Sequence, residues 1–142
     1  MTALGTQMAS SKKTSSMFKD AEAFSSFSVN DLKQAKEFYG KTLGLDVAET
    51  KEGLELNLAG STIFIYPKPN HTPASFTVLN FSVDDIEEAV AELDRLGLPR
   101  EHYDLPDLKT DNQGIMRGPG PNIAWFKDPA GNILSVMENG AL

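Results

Sequence analysis

The chain has 142 residues, 40% of them hydrophobic and 23% charged, with a formal net charge of −7 and no cysteine. A length of this order suits one domain able to bury its own core. No apolar run approaches the roughly 20 residues of a membrane-spanning helix, and no Lys or Arg cluster beyond Lys12-Lys13 offers a patch for phosphates, which speaks against membrane and nucleic acid as partners.

Without cysteine the chain has no disulfide, thiolate nucleophile or thiolate metal site, and tolerates either redox environment, so a cytoplasmic location is the default expectation. Residues 1–17 open with MTALGTQMASSKKTSS, small and polar and without the apolar stretch of a secretory signal. They are expected to be a flexible tail ahead of a single domain over residues 18–142.

From Phe24 to Val29 apolar and polar residues alternate as in a two-faced strand, and the period then changes: Leu32, Ala35, Phe38, Tyr39 and Leu43 recur at helical spacing. Asn30 is placed to cap this helix, and Gly44 to close it. Strands follow at Leu45–Glu49, Leu54–Leu58 and Ser61–Tyr66, the last two joined by a turn at Ala59-Gly60. Pro67-Lys68-Pro69-Asn70-His71-Thr72-Pro73 has too much proline for an element interior and reads as a linker.

The pattern then recurs. FSVNDLKQA (Phe27–Ala35) and FSVDDIEEA (Phe81–Ala89) lie 54 positions apart and agree at five of nine places. An alternating strand from Phe76 leads to Asp84 as cap, to Ile86, Ala89, Val90, Leu93 and Leu96 at helical spacing, and to Gly97. Strands are expected at Pro99–Leu105, Ile123–Lys127 and Asn132–Glu138, with a turn at Asp128-Pro129-Ala130-Gly131. The expected division is module one at about 22–67, linker 68–75 and module two at about 76–139. One half alone would leave a sheet face unburied, so the two are expected to pack together.

The paired strand-helix-strand-strand-strand units, together with FSVNDLKQAKEFYGKTLGL, VDDIEEAVAELDRLGL and AWFKDPAGNILSVME, resemble the vicinal oxygen chelate superfamily of glyoxalases, bleomycin resistance proteins and extradiol dioxygenases. The resemblance runs from about Phe18 to Glu138. It implies an α+β fold in which two tandem βαβββ modules form an incompletely closed, eight-stranded, barrel-like sheet around a cup. It also implies a homodimer whose sites are built by both subunits, and in the family's enzymes a divalent metal held by His, Gln or Glu on inward strand positions.

Counted from the helix starts and from Asp128, those positions fall in this chain on Phe24, Val78 and Ser135, with Phe64 as the fourth. A benzyl group, an isopropyl group and a hydroxyl do not make a ligand set for a hard or borderline cation. No metal or other cofactor is therefore expected, the alternative being a divalent metal on a relocated set such as Glu22, His102 and Glu138. Strand alternation puts Glu138, three residues after Ser135, on the opposite face, and Glu22 reads as a solvated carboxylate. His71 reads as a solvated linker residue, and His102, by the cup, as a half-exposed strand residue that is nevertheless the one weak catalytic candidate.

The expected ligand-binding residues are Phe24, Ser26, Phe64, Tyr66, Val78, Asn80, His102, Tyr103, Trp125, Ser135 and Met137. With Ser28 and Ser82 on the same face, they give an apolar cup with scattered hydroxyl and amide groups, the composition of a small-molecule pocket. Tyr66, Tyr103 and Trp125 offer flat faces to a planar ligand. The segment from Tyr103 to Asn122 is long for a loop and reads as a cover over the pocket. No G-x-S-x-G elbow, phosphate-binding glycine loop or inward carboxylate pair is present. The expected function is metal-free binding of a small apolar or aromatic molecule, with cationic groups favoured by the net charge. The alternative is a metal-dependent lyase, isomerase or dioxygenase of the same superfamily.

Overall fold

A computed structural model of the chain describes residues 17–139; most of the expected N-terminal tail lies outside them. The strand β1 (Ser25–Val29) runs into helix α1 (Leu32–Lys36), which widens into a π-helical segment over Glu37–Thr42. Strands β2 (Asp46–Glu49), β3 (Leu54–Leu58) and β4 (Ser61–Pro67) complete the first sheet, ordered β1-β4-β3-β2. Strand β5 (Thr77–Val83) and helix α2 (Ile86–Arg95) open the second half. After a small hairpin of β6 (Asp104–Leu105) and β7 (Leu108–Lys109) come β8 (Ile115–Met116), β9 (Ile123–Lys127) and β10 (Ile133–Glu138), giving a second sheet ordered β5-β10-β9-β8.

The two orders are the same, and in each sheet the first and last strands of the module pair in parallel, Ser26 beside Phe64 and Asn80 beside Ser135. These are two four-stranded sheets that do not close into a barrel. Alternation decides their faces. Phe27, Val29, Ile63, Ile65, Leu54 and Leu56 from the first, and Leu79, Phe126, Leu134 and Val136 from the second, share one core with Phe38, Tyr39, Ile86, Val90 and Leu93 of the helical segments. The alternate residues, Ser26, Ser28, Phe64 and Tyr66 among them, occupy the other face.

Two expectations change here. The helix caps are Asp31 and Asp85, not Asn30 and Asp84: Asp31 accepts from the Gln34 N–H, and Asp85 from those of Glu87 and Glu88. Each cap is the second member of an adjacent polar pair, and helix phase chooses between neighbours. Of the strand expected at Pro99–Leu105 only Asp104–Leu105 forms, and it pairs with Leu108–Lys109, while the stretch before it keeps one bond to the sheet, from the Glu101 N–H to the Trp125 carbonyl. The expected strand's place in the sheet is taken by Ile115–Met116, because Ile115 supplies a fully buried apolar side chain, whereas Pro99 lacks an N–H and Arg100 is drawn away to Asp94.

The modules are joined by a buried polar network. Tyr39 Oη donates to Asp128 Oδ2 at 2.7 Å, and Asn132 Nδ2 donates to the same oxygen and to the Ser28 carbonyl, each at 3.0 Å. The backbone N–H groups of Ala130 and Asn132 donate to Asp128 Oδ1. Four donors thus satisfy one buried carboxylate. Burial, the Asp128 charge and the Asp128 hydrogen bond, in that order, push the Tyr39 phenol far above its ordinary range.

Candidate functional site

On the open face of the first sheet, the row Ser26, Phe64, Glu55 runs across β1, β4 and β3. Phe24 immediately precedes β1 and is 70% exposed. Around it lies a cavity of about 880 Å³, lined among others by Glu22, Phe24, Glu52, Glu55, Thr62 and Phe64. Two phenyl rings and three carboxylates share this space. None of the three carboxylates takes part in an ion pair among the described residues. Phe24 and Phe64 belong to the expected ligand-binding set; Glu52, Glu55 and Thr62 do not. Glu55 was legible in principle, since it alternates with Leu54 and Leu56.

The equivalent row of the second sheet is Asn80, Ser135, Trp125. It is more closed. Ser135 is fully buried and donates to Asn80 Oδ1 at 2.5 Å, Trp125 Nε1 donates to Thr77 Oγ1 at 3.0 Å, and the Tyr103 ring meets Trp125 edge-on at 5.5 Å between centroids. Burial and then the Glu101 charge raise the Tyr103 phenol. Val78 is half-buried in β5, Met137 half-buried in β10 beside Ile123, and Tyr66 lies on the first sheet beside Ser28. His102 is exposed, and among the described residues its side chain makes no hydrogen bond or ion pair with either row.

The residues at the counted metal positions are therefore Phe24, Val78, Phe64 and Ser135, and they do not fit a divalent cation: only Ser135 has an oxygen, already committed to Asn80. The relocated set is not brought together either. Glu138 lies on the helix-bearing face, as its parity requires, where its carboxylate accepts from the Ile86 N–H and from Asn122 Nδ2. Among the described residues no three His, Cys, Asp or Glu side chains converge on one point.

His71 departs from its expected solvated state. It is half-buried, with Nδ1 2.7 Å from Ser28 Oγ and Nε2 3.2 Å from the Ala130 carbonyl. No local pattern announces this, since its partners lie 43 and 59 positions away. The segment expected as a cover carries β6, β7 and β8, and it is tied to α2. Arg117 pairs with Glu87 and with Asp111, and Arg100, just before the segment, pairs with Asp94 and donates to the Gln113 carbonyl within it. Of its side chains Tyr103 reaches the second sheet's open face.

The fold agrees with comparisons to known proteins. The sequence model of the Glyoxalase/Bleomycin resistance protein/Dioxygenase superfamily matches residues 24–136, and the chain belongs to that superfamily. No curated protein matches the chain in sequence. Among solved structures, a glyoxalase family protein from Enterococcus faecalis aligns with a TM-score of 0.62 and 24% identity, covering 86% of this chain and 100% of that one. A lactoylglutathione lyase from Agrobacterium tumefaciens aligns at 0.60 with 22% identity, over 84% and 94%. TnmS3, an antibiotic binding protein from Streptomyces sp. CB03234, aligns at 0.60 with 24% identity, over 84% and 97%. At these identities the likeness is one of fold, and one fold hosts both catalysis and binding.

Proposed function

We propose that the protein is a metal-free small-molecule binder that sequesters an apolar or aromatic, positively charged ligand on the open faces of its sheets. The observation that carries this reading is the cavity beside β1, where Phe24 and Phe64 lie among Glu22, Glu52 and Glu55. Exposed aromatic rings attract a flat or aliphatic body, and the ring faces with the surrounding carboxylates favour a cation over an anion. The neutral side chains at the counted metal positions support binding without a metal.

The antibiotic-binding relative lends weight to capture over turnover as a use of this fold. Phe24 and Phe76, 70% and 67% exposed, support a homodimer in which a second copy packs at the margins of the open faces and helps to build each site. Residues 18–142 then form one domain, with modules at about 22–67 and 76–139.

The test is equilibrium dialysis of the untagged protein against a panel of planar aromatic cations and their anionic or neutral counterparts. Saturable binding of cations at no more than one per cavity is expected, with Trp125 fluorescence as a second readout. Equal binding of the anionic counterparts, or a requirement for added Zn²⁺, Ni²⁺, Fe²⁺ or Mn²⁺, would reject the reading.

A further inference from the structure

The Ser28–His71 contact plays no part in the cavity beside β1 that carries the binding reading, and has the form of a reactive pair. A carbonyl oxygen only accepts, so the contact between His71 Nε2 and the Ala130 oxygen requires the hydrogen of the neutral ring to sit on Nε2. Nδ1 then carries a lone pair, and the group 2.7 Å from it is the Ser28 hydroxyl. The backbone around both residues is fixed. Asn132 Nδ2 donates to the Ser28 carbonyl, the Val29 carbonyl accepts from the Lys68 N–H, and the His71 N–H closes a turn to the Lys68 carbonyl. A hydroxyl, a base with its tautomer set, and a third group orienting the base are the three parts of an activated nucleophile.

Ser28 alternates with the buried Phe27 and Val29, so its hydroxyl belongs to the open face of the first sheet. Its cross-strand partner Tyr66, 37% exposed, brings a phenol hydroxyl to the same face. We propose that Ser28 and His71 form a nucleophile and general-base pair that accepts an acyl group from a small ester. As Ser28 Oγ bonds to the ester carbonyl carbon, His71 Nδ1 takes the hydroxyl proton. Collapse of the adduct breaks the bond to the alcohol, which leaves with that proton. Water then attacks the acyl-serine, His71 again holding the transferred proton, and the carboxylic acid and free Ser28 are regenerated.

The experiment uses the full chain and an alkyl fluorophosphonate, which forms an oxygen–phosphorus bond with an activated serine and expels fluoride. Intact mass should rise by one phosphonyl group per chain, peptide mapping should put it on Ser28, and p-nitrophenyl acetate should be hydrolysed at that site. Ser28→Ala should lose the adduct, and His71→Gln should slow labelling by about 100-fold. An unlabelled wild-type chain, or an adduct mapped to any other residue, overturns the proposal whether or not the variants fold. Cation binding in the dialysis assay by a chain that takes no label would sink this pair and leave the binding reading intact.

Discussion

Tyr39, on the π-helical segment of the first module, donates its phenol hydrogen to Asp128, in the turn between the last two strands of the second, across 2.7 Å and with both groups buried. The contact spans 89 positions of sequence. Within its own module the Tyr39 ring is held by Phe27 and Phe38, with centroids at 6.1 and 4.9 Å, so the hydroxyl is aimed from an apolar setting into the polar network that joins the modules. Removing the hydroxyl leaves Asp128 with its three remaining donors. Tyr39→Phe should therefore cost about 1–3 kcal/mol, read as a lowered midpoint in urea.

The same pair gives the fold an alkaline limit. The phenol pKa is raised by folding, so its contribution is complete below the ordinary tyrosine value of 10.0 and is lost as pH rises above it. Stability should fall by about 1.4 kcal/mol per pH unit beyond that point. Chemical denaturation between pH 8 and 11.5 checks this: the wild type should weaken steeply above pH 10, and Tyr39→Phe should show a much flatter dependence.

Gly53 marks a second constraint, this time of backbone against backbone. A Cβ placed there would lie 2.1 Å from the Ile65 carbonyl oxygen, in the central strand pair of the first sheet. A carbonyl committed to a ladder cannot swing aside as a flexible side chain does. Gly53→Ala should cost at least the upper part of about 1–3 kcal/mol, with the melting temperature as the measure. Gly60→Ala, where nothing lies within 4 Å, should show only the smaller strain of its positive φ.

What the sequence discloses and what it hides divide along the range of the interactions. Strand faces were legible because they depend on parity alone: Phe27 and Val29 point inward, Ser26 and Ser28 outward, and Glu138 opposes Ser135. The repeat disclosed the duplicated module, since equivalent residues stay 54 apart even at the caps, Asp31 and Asp85. Choosing between Asn30 and Asp31 needed the helix phase, which composition does not fix. The second-module strand at Ile115 was hidden because its placement depends on Asp111, whose carboxylate gathers the Gln113 and Ile115 N–H groups, and on Arg100 leaving for α2. Contacts made across 43 to 104 positions, such as those of His71 and Asn132, have no local signature at all.

The Asp111 turn should respond to acid. Burial raises its carboxyl, but hydrogen bonds from Arg117, Ile115 and Gln113 and the Arg117 charge outweigh that and hold it below its ordinary range. A depressed carboxyl stabilises above its unfolded pKa, and the effect is lost as pH falls through the folded one. Amide exchange should show the Gln113 and Ile115 protons losing protection at acid pH before the core does, and Arg117→Gln should move that loss to higher pH. Global stability should hardly change, because the Arg117 pairs are solvent-screened.

The cavity beside β1 separates shape from charge. Phe64→Ala removes a ring from the lining and should weaken a bound aromatic cation by about 10- to 100-fold through lost apolar contact, with little dependence on salt. Glu55→Gln keeps the volume and removes one carboxylate, so its effect should be largest at low ionic strength and shrink as salt screens the wild-type site. Measured by isothermal titration at two salt concentrations, the two variants should differ in slope as well as in affinity. Equal salt dependence in wild type and Glu55→Gln would show that the carboxylate does not face the ligand, and the cavity would then be selecting on shape alone.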